Sequence, residues 1–381
     1  MHISLEANAS VMTATGQSDD ATLGSDIVLA VGLSLSATTL AAAAVPVRRG
    51  VDEPALWLAA GFALLATVTF LSRRRGFLER RIGGPVAAGS GVLVVLSAGY
   101  AINRGVLGSV VLPGLEWSIS LVFTAFLVGA GIVAVGVADY AGFSSHGLKR
   151  RTVQFLEMLA VGSIGLIAMF IAQVLLASPA IALLGSLSEL QSMVVTYLSF
   201  ALGLGSVAFG YLRFRGYDLS YIDLEVPTVR TVLWTVGGLI VLFGILVGAS
   251  FLMAATGVET AGHGTVEEAE QNPELLVVIV PAMILIVGPF EELLYRNVIQ
   301  KSLYETFSRY GAVVVGSVVF AFVHVLAYAT AGPGQVLASL TMIFALSLVL
   351  GVIYERTEDL LVPALIHGVF NAVQFSMLYF V

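Results

Sequence analysis

The sequence predicts an all-α fold: a polytopic membrane helix bundle of about eleven transmembrane helices. Three observations carry this. The 381 residues are 58% hydrophobic and 11% charged, with a mean hydropathy of +0.95. A soluble domain holds about 25% charged residues. Apolar runs of spanning length, about 17–25 residues, recur along the whole chain. Finally, the basic residues between those runs fall almost entirely in alternate loops.

Taken in order, residues 1–25 are small and polar and lack Lys and Arg. A secretory signal opens on a basic region, so this stretch reads as a disordered tail. Apolar runs follow at 27–47, 55–72, 84–103, 118–140, 153–177 and 192–213. They are rich in Ala, Gly, Val and Leu and form an N-terminal membrane extension over 26–213. Small residues such as Gly129, Gly131 and Gly136 suit close helix packing. Ser178 to Leu190 reads as a re-entrant piece or the extension of a neighbouring helix. Residues 214–230 alternate Tyr217, Leu219 and Tyr221 with Asp218, Asp223 and Glu225. They fit either an interfacial amphipathic helix or a plain connector. The last runs, at 231–255, 275–299, 310–328, 335–354 and 361–380, fall in a C-terminal domain over 231–381. The acidic loop before the 275–299 run, with Glu259, His263, Glu267, Glu268, Glu270 and Glu274, reads as a solvated face.

Of the 18 Lys and Arg residues, all but Arg48, Arg49, Arg104 and Arg296 lie in the loops after even-numbered runs. The positive-inside rule puts those loops in the cytoplasm, the N-terminus inside and the C-terminus outside. A multi-pass protein of the cell membrane, with the lipid bilayer as its solvent, is expected. Nothing in the charge pattern points to nucleic acid. Cysteine is absent, which excludes a thiolate nucleophile and Cys-ligated zinc. The sequence leaves the oligomeric state open.

Chemistry concentrates near the C-terminus. Gly288-Pro289-Phe290-Glu291-Glu292-Leu293-Leu294-Tyr295-Arg296 closes an apolar run. Each charge at membrane depth costs about 2.5–3.5 kcal/mol on insertion scales, so such groups are functional by default. Glu292 and Arg296 are spaced i, i+4 and can pair on one helix face. Glu291 points about 100° away and is left free for chemistry. Pro289 removes a backbone donor and kinks the helix. Phe320 and His324 share a face of the next run, and His367 and Asn371 share a face of the last. Of the five His, only His324 and His367 lie deep in apolar runs. A free carboxylate, two imidazoles and a carboxamide can activate a water and stabilise an oxyanion, which suits amide hydrolysis. Counting 1.5 Å per residue from the cytoplasmic helix ends, Glu291 lies roughly 12 Å deep, His324 about 21 Å and His367 about 9 Å. These depths place a site in the cytoplasmic half but do not coincide.

Glu291-Glu292-x-x-x-Arg296, Phe320-x-x-x-His324 and His367-x-x-x-Asn371, in that order, resemble the CAAX prenyl protease and bacteriocin-processing family, also called CPBP or Abi. The similarity covers residues 275–380 and extends to Leu361-Val362-Pro363-Ala364-Leu365-Ile366 before His367. It implies an intramembrane endopeptidase core in the last four to five helices, acting on a peptide or protein substrate at the membrane. By the resemblance, Glu291 and His324 activate a water, while His367 and Asn371 form the oxyanion hole. Glu292, Arg296 and Phe320 support them. No cofactor is expected. Were zinc used, Glu291, His324 and His367 would be its ligands, but the chain lacks His-Glu-x-x-His and Asn is a poor zinc ligand. The rival readings are a proton-coupled transporter and a non-catalytic scaffold or immunity protein. A carrier would place ionisable groups in both halves, whereas the first six runs hold almost none in their interiors.

Overall fold

All eleven apolar runs are helices in the computed structural model, which describes residues 27–111, 114 and 117–380. The expected disordered tail, 1–25, lies outside the described residues. Among the described residues, ten helices are long and apolar enough to cross a membrane. They are α1 (Ile27–Arg48), α2 (Pro54–Arg74), α3 (Arg80–Asn103), α4 (Leu121–Ala141), α5 (Ser145–Leu184), α6 (Glu189–Arg215), α7 (Val229–Thr256), α9 (Pro273–Leu303), α11 (Pro333–Thr357) and α12 (Leu361–Phe380). The short α8 (Gly264–Gln271) lies in the acidic connection. The expected eleventh span is the exception. α10 (Arg309–Val323) has 15 residues, about 22 Å of helix against a hydrocarbon core of about 30 Å. A small antiparallel pair, β1 (Ser109–Val111) and β2 (Ser118–Ser120), joins α3 to α4.

The chain divides into two compact units, Met1–Thr152 and Val153–Val381, with the break near the start of α5. In the first unit α3 packs on α2 and α4. A Cβ at Gly136 would stand 2.5 Å from the Ala88 nitrogen, and one at Gly129 would stand 2.8 Å from Val94 Cγ1. Small residues therefore let the two backbones approach, the close packing expected of a membrane helix pair. One bidentate ion pair ties the unit together. Arg73 Nε and Nη2 donate to Asp139 Oδ2 and Oδ1, both at 2.8 Å.

The second unit begins well before the boundary at residue 213 that composition marks. α6 packs on α9, and Tyr211 hydrogen-bonds Ser302 at 3.0 Å. The Gln154 amide donates to the Ser302 carbonyl at 2.6 Å. These polar contacts between distant runs have no signature in composition. Of the two readings for Ser178–Leu190, extension is the observed one, since α5 continues to Leu184. Residues 214–230 are not an amphipathic helix. Between the end of α6 and the start of α7 they form one turn, Leu219–Tyr221, and then an irregular connector. The connector is pinned by Asp223, whose carboxylate accepts from Lys301 Nζ at 2.7 Å and from the Tyr354 hydroxyl at 2.5 Å.

α9 is the axis of this unit, and every residue from Leu293 to Gln300 is buried. It is not a uniform α-helix. Wider π-type turns at Met283–Val287 and Leu293–Gln300 flank an α-turn, Gly288–Glu292. Such turns are uncommon and often mark functional positions. Gly288 and Gly368 let α9 and α12 touch backbone to backbone. A Cβ at Gly288 would stand 2.5 Å from the Ala364 oxygen, and one at Gly368 would stand 2.7 Å from the Met283 oxygen.

Candidate active site

The α-turn of α9 presents two adjacent carboxylates into surroundings built by three other helices. Glu292 is fully buried and accepts Arg296 Nε at 2.7 Å, the i, i+4 pair its spacing predicts. Arg296 also donates from Nη2 to Ser347 Oγ of α11 at 3.0 Å. The second oxygen of Glu292 accepts Nδ1–H of His367, from α12, at 2.8 Å. Glu292 thus joins α9, α11 and α12. His367 was expected to meet substrate, and its bond to Glu292 has no trace in the spacing.

Glu291 faces the other way. Its Oε1 lies 3.8 Å from His324 Nε2 and its Oε2 lies 3.6 Å from His367 Nε2. Both distances exceed hydrogen-bond range. Oε2 is buried and makes no hydrogen bond within the protein. A buried carboxylate oxygen without a partner is costly, and here it borders a cavity.

His324 sits where α10 ends, and its imidazole helps end it. Its Nδ1 lies 2.7 Å from the Phe320 carbonyl oxygen. A carbonyl can only accept, so Nδ1 carries the hydrogen, and in the neutral imidazole Nε2 is the lone-pair nitrogen facing Glu291. The side chain occupies the carbonyl that the His324 amide would use in a continuing helix. That amide bonds Ala321 O instead, at 3.2 Å. The chain continues in turns, and the Ala327 carbonyl accepts the Gly264 amide at 3.0 Å. Phe320 forms the aromatic floor. Its ring centroid lies 4.5 Å from that of His324, 5.1 Å from Tyr295 and 5.9 Å from His367, with the Arg296 guanidinium 5.0 Å away.

Glu291, His324, His367 and Asn371 all line one cavity of about 1280 Å³. The uneven depths counted along the helices therefore do not keep the groups apart. Ser347, Tyr295, His263 and Tyr328 line the same cavity and were missed. Tyr295 stands i, i+4 from Glu291, a spacing that could have marked it. His263 and Tyr328 come from irregular segments, which carry no periodicity. Rather than being solvated, His263 is half-buried. It accepts the Thr265 amide on Nδ1 at 3.1 Å and meets the Tyr328 ring edge-on, with centroids 5.1 Å apart. Burial lowers its pKa from the usual imidazole value. Among the described residues, no group of three or more His, Asp or Glu side chains is arranged to hold a metal ion.

Fold and site together define a polytopic membrane protein whose C-terminal helices enclose an acid–imidazole cluster. Residues 273–373 match the family model described as Type II CAAX prenyl endopeptidase Rce1-like. This agrees with the resemblance drawn from the three motifs and supports a CAAX-type intramembrane protease. The match holds every candidate site residue and leaves α1 to α8 outside it. No curated protein and no solved structure matches the chain.

Proposed function

We propose that the chain is an intramembrane endopeptidase in which Glu291 and His324 activate a water, and His367 and Asn371 stabilise the oxyanion. The observation that carries this reading is the buried Glu291 Oε2, without a hydrogen bond, in a cavity shared with two imidazole Nε2 atoms. A water between Glu291 Oε1 and His324 Nε2 has an acceptor on either side. It donates a hydrogen bond to each and turns its lone pair toward the substrate carbonyl. Glu291 takes one proton as the carbon–oxygen bond forms and returns it to the leaving amine as the carbon–nitrogen bond breaks.

His367 is suited to the oxyanion. Its Nδ1–H donates to Glu292, and a carboxylate partner favours the imidazolium, which then offers Nε2–H to the developing charge. With Glu291 and Glu292 anionic and Arg296 and His367 cationic, the cluster is neutral as a whole, as burial demands. The substrate is a peptide or protein segment at the membrane, held between the apolar walls of α5, α6, α7 and α11. The protein sits in the cell membrane, its N-terminus and Arg-rich loops in the cytoplasm and its C-terminus outside. The donor set is read as metal-free, with Glu291 as base rather than ligand.

Asn371→Ala tests the oxyanion assignment. Removing one donor of an oxyanion hole costs about 10²–10³ in kcat. The variant is expected to lose kcat on that scale with KM little changed and an unaltered thermal midpoint. A wild-type kcat would remove Asn371 from the mechanism.

A further inference from the structure

The cluster has to communicate with one end of the bundle, and the two ends differ. At one end lie Arg213, Arg215, Arg230, Lys301, Arg309 and Arg356. This end is closed. Asn297 and Gln300 are fully buried. Asn297 Oδ1 accepts the Asp223 amide at 2.9 Å, and Gln300 Nε2 donates to the Gly351 carbonyl at 3.0 Å. Lys301, Tyr354 and the Leu360 amide all converge on Asp223. None of these residues lines the cavity. Between them and the cavity stands the Glu292–Arg296–Ser347 layer.

The opposite end carries the connection from α7 to α9 and the turn from α10 to α11. Residues from Val258 to Glu268 and from Leu326 to Tyr328 line the cavity there. They are tied in place rather than loose. The Ala261 amide donates to Ser339 Oγ at 3.0 Å, and Thr330 Oγ1 donates to the Gly262 carbonyl at 3.0 Å. Residues 257–274 and 324–332 contain no Lys or Arg. The cavity lining likewise contains none, and Glu259 and Glu268 are the charges at its mouth.

Distance along α9 alone suggests the other arrangement. Glu291 lies about 18 Å of helix from Leu303 and about 27 Å from Pro273. It is nearer the Arg-rich end, yet the cavity that reaches it is lined at the far end by the two connections and includes none of the residues of the closed end. The Arg-rich end is cytoplasmic by the positive-inside rule.

We propose that the cavity admits its substrate from the extracytoplasmic face, through a mouth formed by the α7–α9 connection and the α10–α11 turn. The substrate is then a peptide segment exposed outside the cytoplasm, an exported peptide or the outer part of a membrane protein, and not a cytoplasmic tail. The carboxylates at the mouth favour a neutral or cationic segment over an anionic one. This rests on the protease reading above for what happens to the segment, but not for where the mouth lies.

The chain has no cysteine, so single cysteines report without background. Thr260 is an exposed residue at the mouth and Ser220 an exposed one at the closed end. In intact cells making the full chain, a membrane-impermeant maleimide is expected to label the Thr260→Cys protein. It should label the Ser220→Cys protein only after permeabilisation, and the reverse pattern would overturn the proposal. Sealed membrane vesicles of both orientations, given a quenched fluorescent peptide from outside, test the use of the mouth. Right-side-out vesicles should cleave without detergent and inverted ones only with it; the opposite result would overturn the proposal. If neither cleaves even in detergent, the protease reading fails, and the labelling pattern alone decides the side of the mouth.

Discussion

Glu291→Gln is expected to abolish peptide cleavage while leaving the protein folded. Loss of a positioned general base costs about 10²–10⁴ in rate. The substitution keeps the side chain's shape and removes only the charge and the basic oxygen. Structure predicts little other damage, because Glu291 is not part of the ion pair. Its Oε2 makes no hydrogen bond, and both imidazoles stand beyond bonding distance. The substitution removes the carboxylate's own desolvation cost, and His367 can shed its second proton to keep the cluster neutral, so the thermal midpoint should hold. Cleavage rate and midpoint measured on the same detergent preparation check this. A variant that cleaves at the wild-type rate would remove Glu291 from the reaction. Glu292→Gln is the informative contrast, since it breaks bonds to both Arg296 and His367 and should lose stability as well as rate.

The second large effect is structural. Arg296→Met is expected to destabilise the protein by about 3–5 kcal/mol, the usual cost of stranding one member of a buried ion pair. Both partners are fully buried, so water cannot replace the guanidinium. The variant also loses the Ser347 bond and the contact with the Phe320 ring. Glu292 would keep His367 as its one cation. Arg296→Met combined with Glu292→Gln should recover part of the loss, because no buried charge is then left alone. Thermal midpoints of the single and double variants in one detergent measure this. A single variant as stable as wild type would show that the pair contributes nothing to the fold.

Much of this site was legible in the chain because membrane helices make ionisable residues conspicuous. The Glu292–Arg296 pair followed from i, i+4 spacing and the cost of a bare charge in hydrocarbon. Glu291 followed as the carboxylate left over, and His324 and His367 as the imidazoles inside apolar runs. Distances along each helix were legible too, but their meeting was not. Counting residues gives position along an axis and says nothing of where that axis starts or how it leans. The same blindness hid the His367–Glu292 bond, which joins helices 75 residues apart. It also hid the shortness of α10, which the His324 side chain helps terminate. The π-type turns of α9 leave hydropathy unchanged. Residues 153–213 read as extension by composition, yet Gln154 and Tyr211 bond Ser302 inside the second unit. His263 and Tyr328 lie in irregular segments, where no period links a residue to its face.

Hydrolysis by a glutamate-activated water in the α9–α12 cavity is the reaction proposed. The measurement that tests it most directly is cleavage of a quenched peptide library by the purified full-length protein and its Glu291→Gln variant, each with and without a strong chelator. Wild-type cleavage is expected to survive chelation and to be absent from the variant. Wild-type cleavage lost to the chelator and restored by zinc would contradict it, and would make Glu291, His324 and His367 metal ligands.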